Sequence, residues 1–161
     1  MTGQEFSHLD GDGKLQMVDI SAKEPTQRVA HASCLVIARA DAHARATREL
    51  GGDVILSARL AGIQAAKRTA DLIPLCHPLA LTKVALDIVA HPRGYAVSSV
   101  VATRGRTGVE MEALTACSFA GLALVASLVG VDPRVRVEDV ALLKKSGGKS
   151  GDWGRDVVDA E

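Results

Sequence analysis

From Ala113 to Val131 the chain carries no charged side chain, a run close to the length that crosses a bilayer. No other stretch constrains the fold as much, because a run like this must be buried somewhere. Thr115, Ser118, Gly121, Ser127 and Gly130 interrupt it with polar or small residues. Acids, Glu112 and Asp132, stand at its ends, and no basic flank sets an orientation in a membrane. It therefore reads as a helix buried in a protein core and not as a membrane span. Aromatic residues make up only 2% of the chain, so Ala, Val, Leu and Ile must build that core. Side chains this small let backbones approach closely, as when helices are pressed against a sheet or another subunit.

The length fits one domain with a core large enough to fold alone. Lys plus Arg number 19 and Asp plus Glu number 19, so no bulk field favours nucleic acid or an anionic membrane. The scarcity of aromatics also argues against stacking platforms for single strands. Cys34, Cys76 and Cys117 are scattered and odd in number, which is no disulfide framework and suits a reducing, cytoplasmic setting. The start, MTGQEFSHLDGDGK, is polar and does not resemble a secretory signal.

Periodicity and turn residues predict a single order of elements. Residues 1–23 and 146–161 read as irregular. Thr26–Ala38 is rich in β-branched residues and predicts a strand. Asp41–Leu50 predicts a short exposed helix capped by Asp41, and Gly51-Gly52-Asp53 breaks it and caps a second helix running to about Ala70. Thr82–Ala90 and Tyr95–Thr103 pair as a hairpin about the His91-Pro92-Arg93-Gly94 turn. Thr107-Gly108-Val109-Glu110 has capping-box spacing for the long helix, which Asp132-Pro133 stops. Arg134–Leu143 is the last strand. The order is α+β: a ferredoxin-like βαββαβ sandwich with one extra helix, its helices packed on an antiparallel sheet.

Two motifs fail on inspection. KSGGKSG contains Gly148-Lys149-Ser150, but Leu143 occupies the first glycine position of a nucleotide-triphosphate loop and no helix follows. DGDGK at Asp10 begins like a calcium loop, yet Lys14 and Leu15 spoil the ligand and glycine positions, leaving a Gly/Asp turn. Cys76-His77 is not a zinc spacing either, and no second pair accompanies it, so no metal site is expected.

Ala58–Pro78 is more informative. An alanine-rich helix carrying Lys67 and Arg68 runs into a turn in which Pro74 and Pro78 stiffen the backbone around Cys76-His77. Cations and a titratable ring delivered to a stiff loop suit an anion-handling site. Glu110 and Glu112, two apart, point to nearly opposite sides of their helix. Both lie at its positive end, which favours their ionised forms.

These stretches together resemble the cyclic pyranopterin monophosphate synthase family of molybdenum cofactor biosynthesis. The resemblance is carried by HLDGDGKLQMVDISAKEPTQRVA, GDVILSARLAGIQAAKRTADLIPLCHPLALTKV, GRTGVEMEALTACS and LLKKSGGKSGDW, four separated blocks in the same order. It implies a single ferredoxin-like domain over residues 1–161, in a homohexamer built as a trimer of dimers with sites at dimer interfaces. It implies the substrate 3′,8-cyclo-7,8-dihydroguanosine 5′-triphosphate, rearranged to cyclic pyranopterin monophosphate with release of pyrophosphate. No organic cofactor is implied, and Mg²⁺ accompanying the triphosphate is left open.

Residue by residue, the resemblance implies Lys145, Glu110 and His77 as catalytic. It implies Leu75, Cys76, His77, Met111, Glu112, Lys23, Arg28, Lys67, Arg68 and Lys149 as substrate-binding. Three positions depart from the family pattern. Gly51 stands where it has a lysine, and VASLV replaces its YDMCK, so Ala126 and Val129 take the places of an aspartate and a lysine. Ala126 and Val129 share a helix face, and Ala126 lies about 21 Å along the helix from Glu112 at a rise of 1.5 Å per residue. One helix does not hold both ends in one compact site, which fits sites shared across an interface. Two readings follow: a synthase in which another acid or lysine replaces the lost pair, or a catalytically impaired member that binds the nucleotide or pairs with a complete paralogue.

Overall fold

A computed structural model describes residues 8–50, 52–149 and 151–155 of the chain. The elements are β1 (Thr26–Ile37), α1 (Ala40–Glu49), α2 (Gly52–Lys67), α3 (Thr69–Leu72), β2 (Leu81–His91), β3 (Gly94–Gly105), α4 (Glu110–Leu128), β4 (Arg136–Ser146) and β5 (Trp153–Gly154). The strands form one antiparallel sheet in the order β2-β3-β1-β4-β5. This is the expected α+β, ferredoxin-like plan, with α2 and α4 as the main helices against the sheet.

The sheet takes its direction from the period-two pattern of β1. Ala30, Ala32, Cys34 and Val36 are buried, while the alternating Val29, His31, Ser33 and Leu35 are half-buried on the other face. The buried row meets α4, whose Ala113, Ala116, Cys117, Ala120, Leu124 and Leu128 have no measurable exposure. By length and composition α4 could cross a membrane, but here half of that apolar stretch is buried as the central core helix. Cys34 and Cys117 meet inside this core, the Cys34 thiol donating to the Cys117 carbonyl at 3.4 Å, and the three cysteines are free.

Small residues set the spacing of the helix pair. Ala58, Gly62, Ala65 and Ala66 form the buried stripe of α2 that faces α4. Gly62 is the tightest point: a Cβ there would lie 2.6 Å from the Ala116 carbonyl oxygen and 2.6 Å from Leu86 Cδ1. At the other end of the sheet Gly94 begins β3 with φ +137, and a Cβ would fall 2.2 Å from the Val36 carbonyl oxygen. Only glycine fits that joint of the β2–β3 hairpin with β1.

Several local expectations change. Helix α2 does not run to Ala70 but stops at Lys67, and a separate turn, α3, follows. The Thr69 hydroxyl donates to the Ala66 and Ala65 carbonyls at 3.0 and 3.4 Å, competing with the backbone for the acceptors that would continue the helix. Helix α1 begins at Ala40 with Arg39 as its N-cap, so Asp41 sits inside the first turn, ion-paired to Arg39, rather than capping. The capping box does not form: α4 starts from Val109, with no side-chain cap hydrogen bond.

Strand β4 begins at Arg136 because Asp132 holds the preceding turn. Its carboxylate, 1% exposed, accepts from the Arg39 and Arg134 backbone N–H groups at 2.7 and 3.1 Å. The tail is not wholly irregular either, since β5 pairs Trp153 with Lys145 and Gly154 with Lys144.

Candidate active site

The N-terminal end of α4 closes a cavity of about 250 Å³. Four segments supply its wall: His8, Val18 and Lys23 from the chain before β1; Leu75, Cys76, His77 and Leu79 from the α3–β2 connection; Thr107 and Gly108 after β3; and Glu110, Met111 and Glu112 from the first turn of α4. The α3–β2 loop is held in an unusual backbone: Leu75 has φ +65, and the Cys76 N–H donates to the Ile73 carbonyl at 3.3 Å. A non-glycine residue in the left-handed region is uncommon and is found where surrounding structure over-determines it.

Glu112 is only 4% exposed and lines this cavity. Burial pushes its carboxyl up to about 7, and the neighbouring charge of Glu110 adds to the rise. The expected stabilisation of its ionised form by the helix end is outweighed, because desolvation of a nearly enclosed carboxylate exceeds the pull of a helix dipole. Nor do the two glutamates serve separate sides. They sit about 200° apart on α4, yet both line the same cavity, because segments before and after them fold around the helix end.

Glu110 is not a capping residue. Its Oε1 lies 3.2 Å from Lys145 Nζ, with both side chains a little under one-third exposed. Strand β4 brings Lys145 there by pairing it with Ala30 of β1 on one side and Trp153 of β5 on the other. The Cys76 thiol is pushed up by burial and further by Glu112. Asp19 is held below the usual carboxylate range, first by the Ser21 backbone N–H at 2.8 Å and less by the positive charges of His77 and Lys23.

Arg28, which the resemblance implies as substrate-binding, is held by backbone carbonyls. It donates to the Gly105 and Arg106 carbonyls at 2.9 and 3.2 Å, so it braces the chain leading to Thr107 and Gly108. The glycine-rich loop lies directly on it: a Cβ at Gly148 would fall 2.0 Å from the Arg28 guanidinium, and one at Gly147 would fall 2.1 Å from the Gln27 carbonyl oxygen. Both glycines have positive φ, so the loop's composition answers a close approach and not a nucleotide-triphosphate fold.

The two helix cations do not reach this cavity. Lys67 lines a separate groove with Leu79, Leu81, Thr82 and Lys83, touching the main cavity only through the shared Leu79. Arg68 is exposed at the N-cap of α3. Helix α2 ends at Lys67, before the loop, and Arg68 stands between it and α3. Lys149 is exposed at the end of the glycine loop. Among the described residues, no group of three His, Cys, Asp or Glu side chains is placed to hold a metal ion.

The MoaC family matches residues 17–148. This chain belongs to that family. It is 51% identical to a cyclic pyranopterin monophosphate synthase of Rhodospirillum rubrum over 94% of each chain. It is also 48% identical to one from a Nostoc species, over 92% of this chain and 90% of the relative, and 50% identical to one from Cereibacter sphaeroides, over 91% and 94%.

Within this MoaC-family chain the structure gathers Lys23, Leu75, Cys76, His77, Glu110, Met111 and Glu112 around one cavity and sets Lys145 beside Glu110. It leaves Lys67, Arg68 and Lys149 outside. The departing positions lie at the other end of the long helix, where Ala126 and Val129 are exposed. Gly51 lies outside the described residues, and its neighbours Leu50 and Asp53 share a shallow groove with Ser127. His8 and Val18 escaped the sequence reading. The block around them carried the family resemblance but gave neither residue a role, and only the return of the chain to the cavity gives them a place.

Proposed function

We propose that this chain is a cyclic pyranopterin monophosphate synthase of molybdenum cofactor biosynthesis. It converts 3′,8-cyclo-7,8-dihydroguanosine 5′-triphosphate to cyclic pyranopterin monophosphate and releases pyrophosphate. The observation that carries this reading is the convergence of Lys23, His77, Glu110 with Lys145, and Glu112 on one cavity, in a chain about half identical to relatives of that name.

Forming a cyclic monophosphate from a triphosphate requires an oxygen nucleophile to attack the innermost phosphorus while pyrophosphate leaves. The site must accept the nucleophile's proton and neutralise the leaving charge. In this reading Lys145, aligned by Glu110, and Lys23 face the phosphate charge. His77 and Glu112 exchange protons, with Glu112 tuned near neutrality by burial. Mg²⁺ entering with the triphosphate is part of the substrate here, and no organic cofactor is assigned. The length of α4 between Glu112 and Ala126 supports a site completed across subunits, in a cytoplasmic hexamer arranged as a trimer of dimers.

The purified protein is expected to release pyrophosphate from the cyclised nucleotide with matching formation of product. Nucleotide binding without release would instead favour an impaired member, and Ala126→Asp with Val129→Lys and Gly51→Lys should then raise turnover. Lys145→Met separates catalysis from folding. Partly exposed ion pairs contribute up to about 1 kcal/mol, so Tm should fall by no more than about 4 °C. Turnover should drop by at least about tenfold. An unchanged rate would remove Lys145 from the catalytic group.

A further inference from the structure

The segment before β1 is a built strap with its own hydrogen bonds, and nothing in the roles above uses its first described residue, His8. Leu9 and Leu15 form an isolated antiparallel bridge, and the Gln16 N–H donates to the His8 carbonyl at 3.0 Å. Asp10 ties the turn between them, its Oδ1 accepting from the Asp12 and Lys14 N–H groups at 2.9 and 2.8 Å. These bonds fix the His8 backbone, and His8 lines the cavity that Cys76, His77 and Glu112 share.

Among the described residues His8 Nδ1, itself little exposed, has no hydrogen-bond partner. Buried polar side-chain atoms are almost always paired, so an orphan at a cavity wall marks a place where a ligand's polar group belongs. The strap pairs its backbone with itself, and none of those bonds uses the imidazole.

We propose that His8 is a substrate-binding residue of this site, hydrogen-bonded through its imidazole to the bound nucleoside triphosphate. The proposal rests on the synthase reading for the identity of the ligand but not for the contact. The strap then serves as a recognition element, carrying His8, Val18 and Lys23 to one side of the ligand while α4 and the α3–β2 loop hold the other.

The test uses the full-length protein, its His8→Ala and His8→Gln variants, and GTP as the probe. Calorimetric titration is expected to give a Kd raised about tenfold by His8→Ala, the effect of one lost hydrogen bond in a desolvated site. His8→Gln keeps a donor and an acceptor and should recover part of that loss. The His8 ring nitrogen signals in a nitrogen–proton correlation spectrum should shift on GTP addition as the hydrogen bond forms, a readout that a merely structural ring would not give and that needs no variant to fold. Failure of the parent to bind GTP, variant Kd values within about twofold of the parent, or unmoved His8 signals would each overturn the assignment. Pyrophosphate release by the parent is measured on the same preparation. Its absence sinks the synthase reading, and the Kd values and ring signals still decide the contact.

Discussion

Glu112→Gln is expected to lower pyrophosphate release by about 10²–10⁴-fold, the usual contribution of a positioned proton-transfer group. Glutamine keeps the size and most hydrogen-bonding capacity of the protonated acid, so substrate affinity should change far less than kcat. The parent's rate should decline as pH rises through about 7, where Glu112 ionises. The variant's residual rate should lack that limb. A variant with the parent's rate and pH profile would show that Glu112 has no part in proton transfer.

The same carboxyl predicts an opposite effect on stability. Its folded pKa is raised from 4.5 to about 7, so the native state holds its proton more tightly than the unfolded chain does. The stability it contributes is therefore full below about pH 4.5 and is lost as pH rises through about 7. Above that range the buried charge weighs on the fold by an amount on the order of 3 kcal/mol. Denaturant titrations should show Glu112→Gln more stable than the parent at pH 8, with the gap closing towards pH 4.5. A gap independent of pH would mean that the carboxyl does not change charge differently on folding.

Gly62→Val should be severely damaging to the contact between α2 and α4. The new Cβ would stand 2.6 Å from the Ala116 carbonyl oxygen, a backbone atom that cannot swing aside, and 2.6 Å from Leu86 Cδ1. Relief requires α2 and α4 to separate along their tightest contact. The loss is expected to reach about 3 kcal/mol, or about 10 °C in Tm for a domain of this size. Ser57→Ala, on the exposed side of the same helix, is the control and should leave Tm nearly unchanged. Equal melting temperatures for parent and Gly62→Val would refute the close helix contact.

The element order was legible because its signals are local. Alternation along Thr26–Ile37 and the uncharged run of α4 each report burial within one segment. The turn at Pro92-Arg93 and the stop at Asp132-Pro133 are likewise written in adjacent residues. The misreadings were also local, but depended on side-chain bonds that competed with the expected pattern. Thr69 took carbonyls that would have extended α2, and Glu110 took Lys145 in place of a cap. The residues singled out in the Cys76-His77 loop and the Glu110–Glu112 turn line one cavity, whereas Lys67 lies on a neighbouring groove and Arg68 lines neither, because the fold and not the local spacing decides which segments meet.

Sequence alone determined the family, the ferredoxin-like order and the residue types available to the site, because motifs and periodicity survive without coordinates. Only the tertiary structure decided which of those residues meet. Lys145 reaches Glu110 through strand pairing, Arg28 turns to brace backbone carbonyls, and His8 comes to the cavity from the chain before β1. The protonation of Glu112 belongs to the same class. Removal of water is the main cause of its raised carboxyl, and burial of that kind is not a property of any one segment.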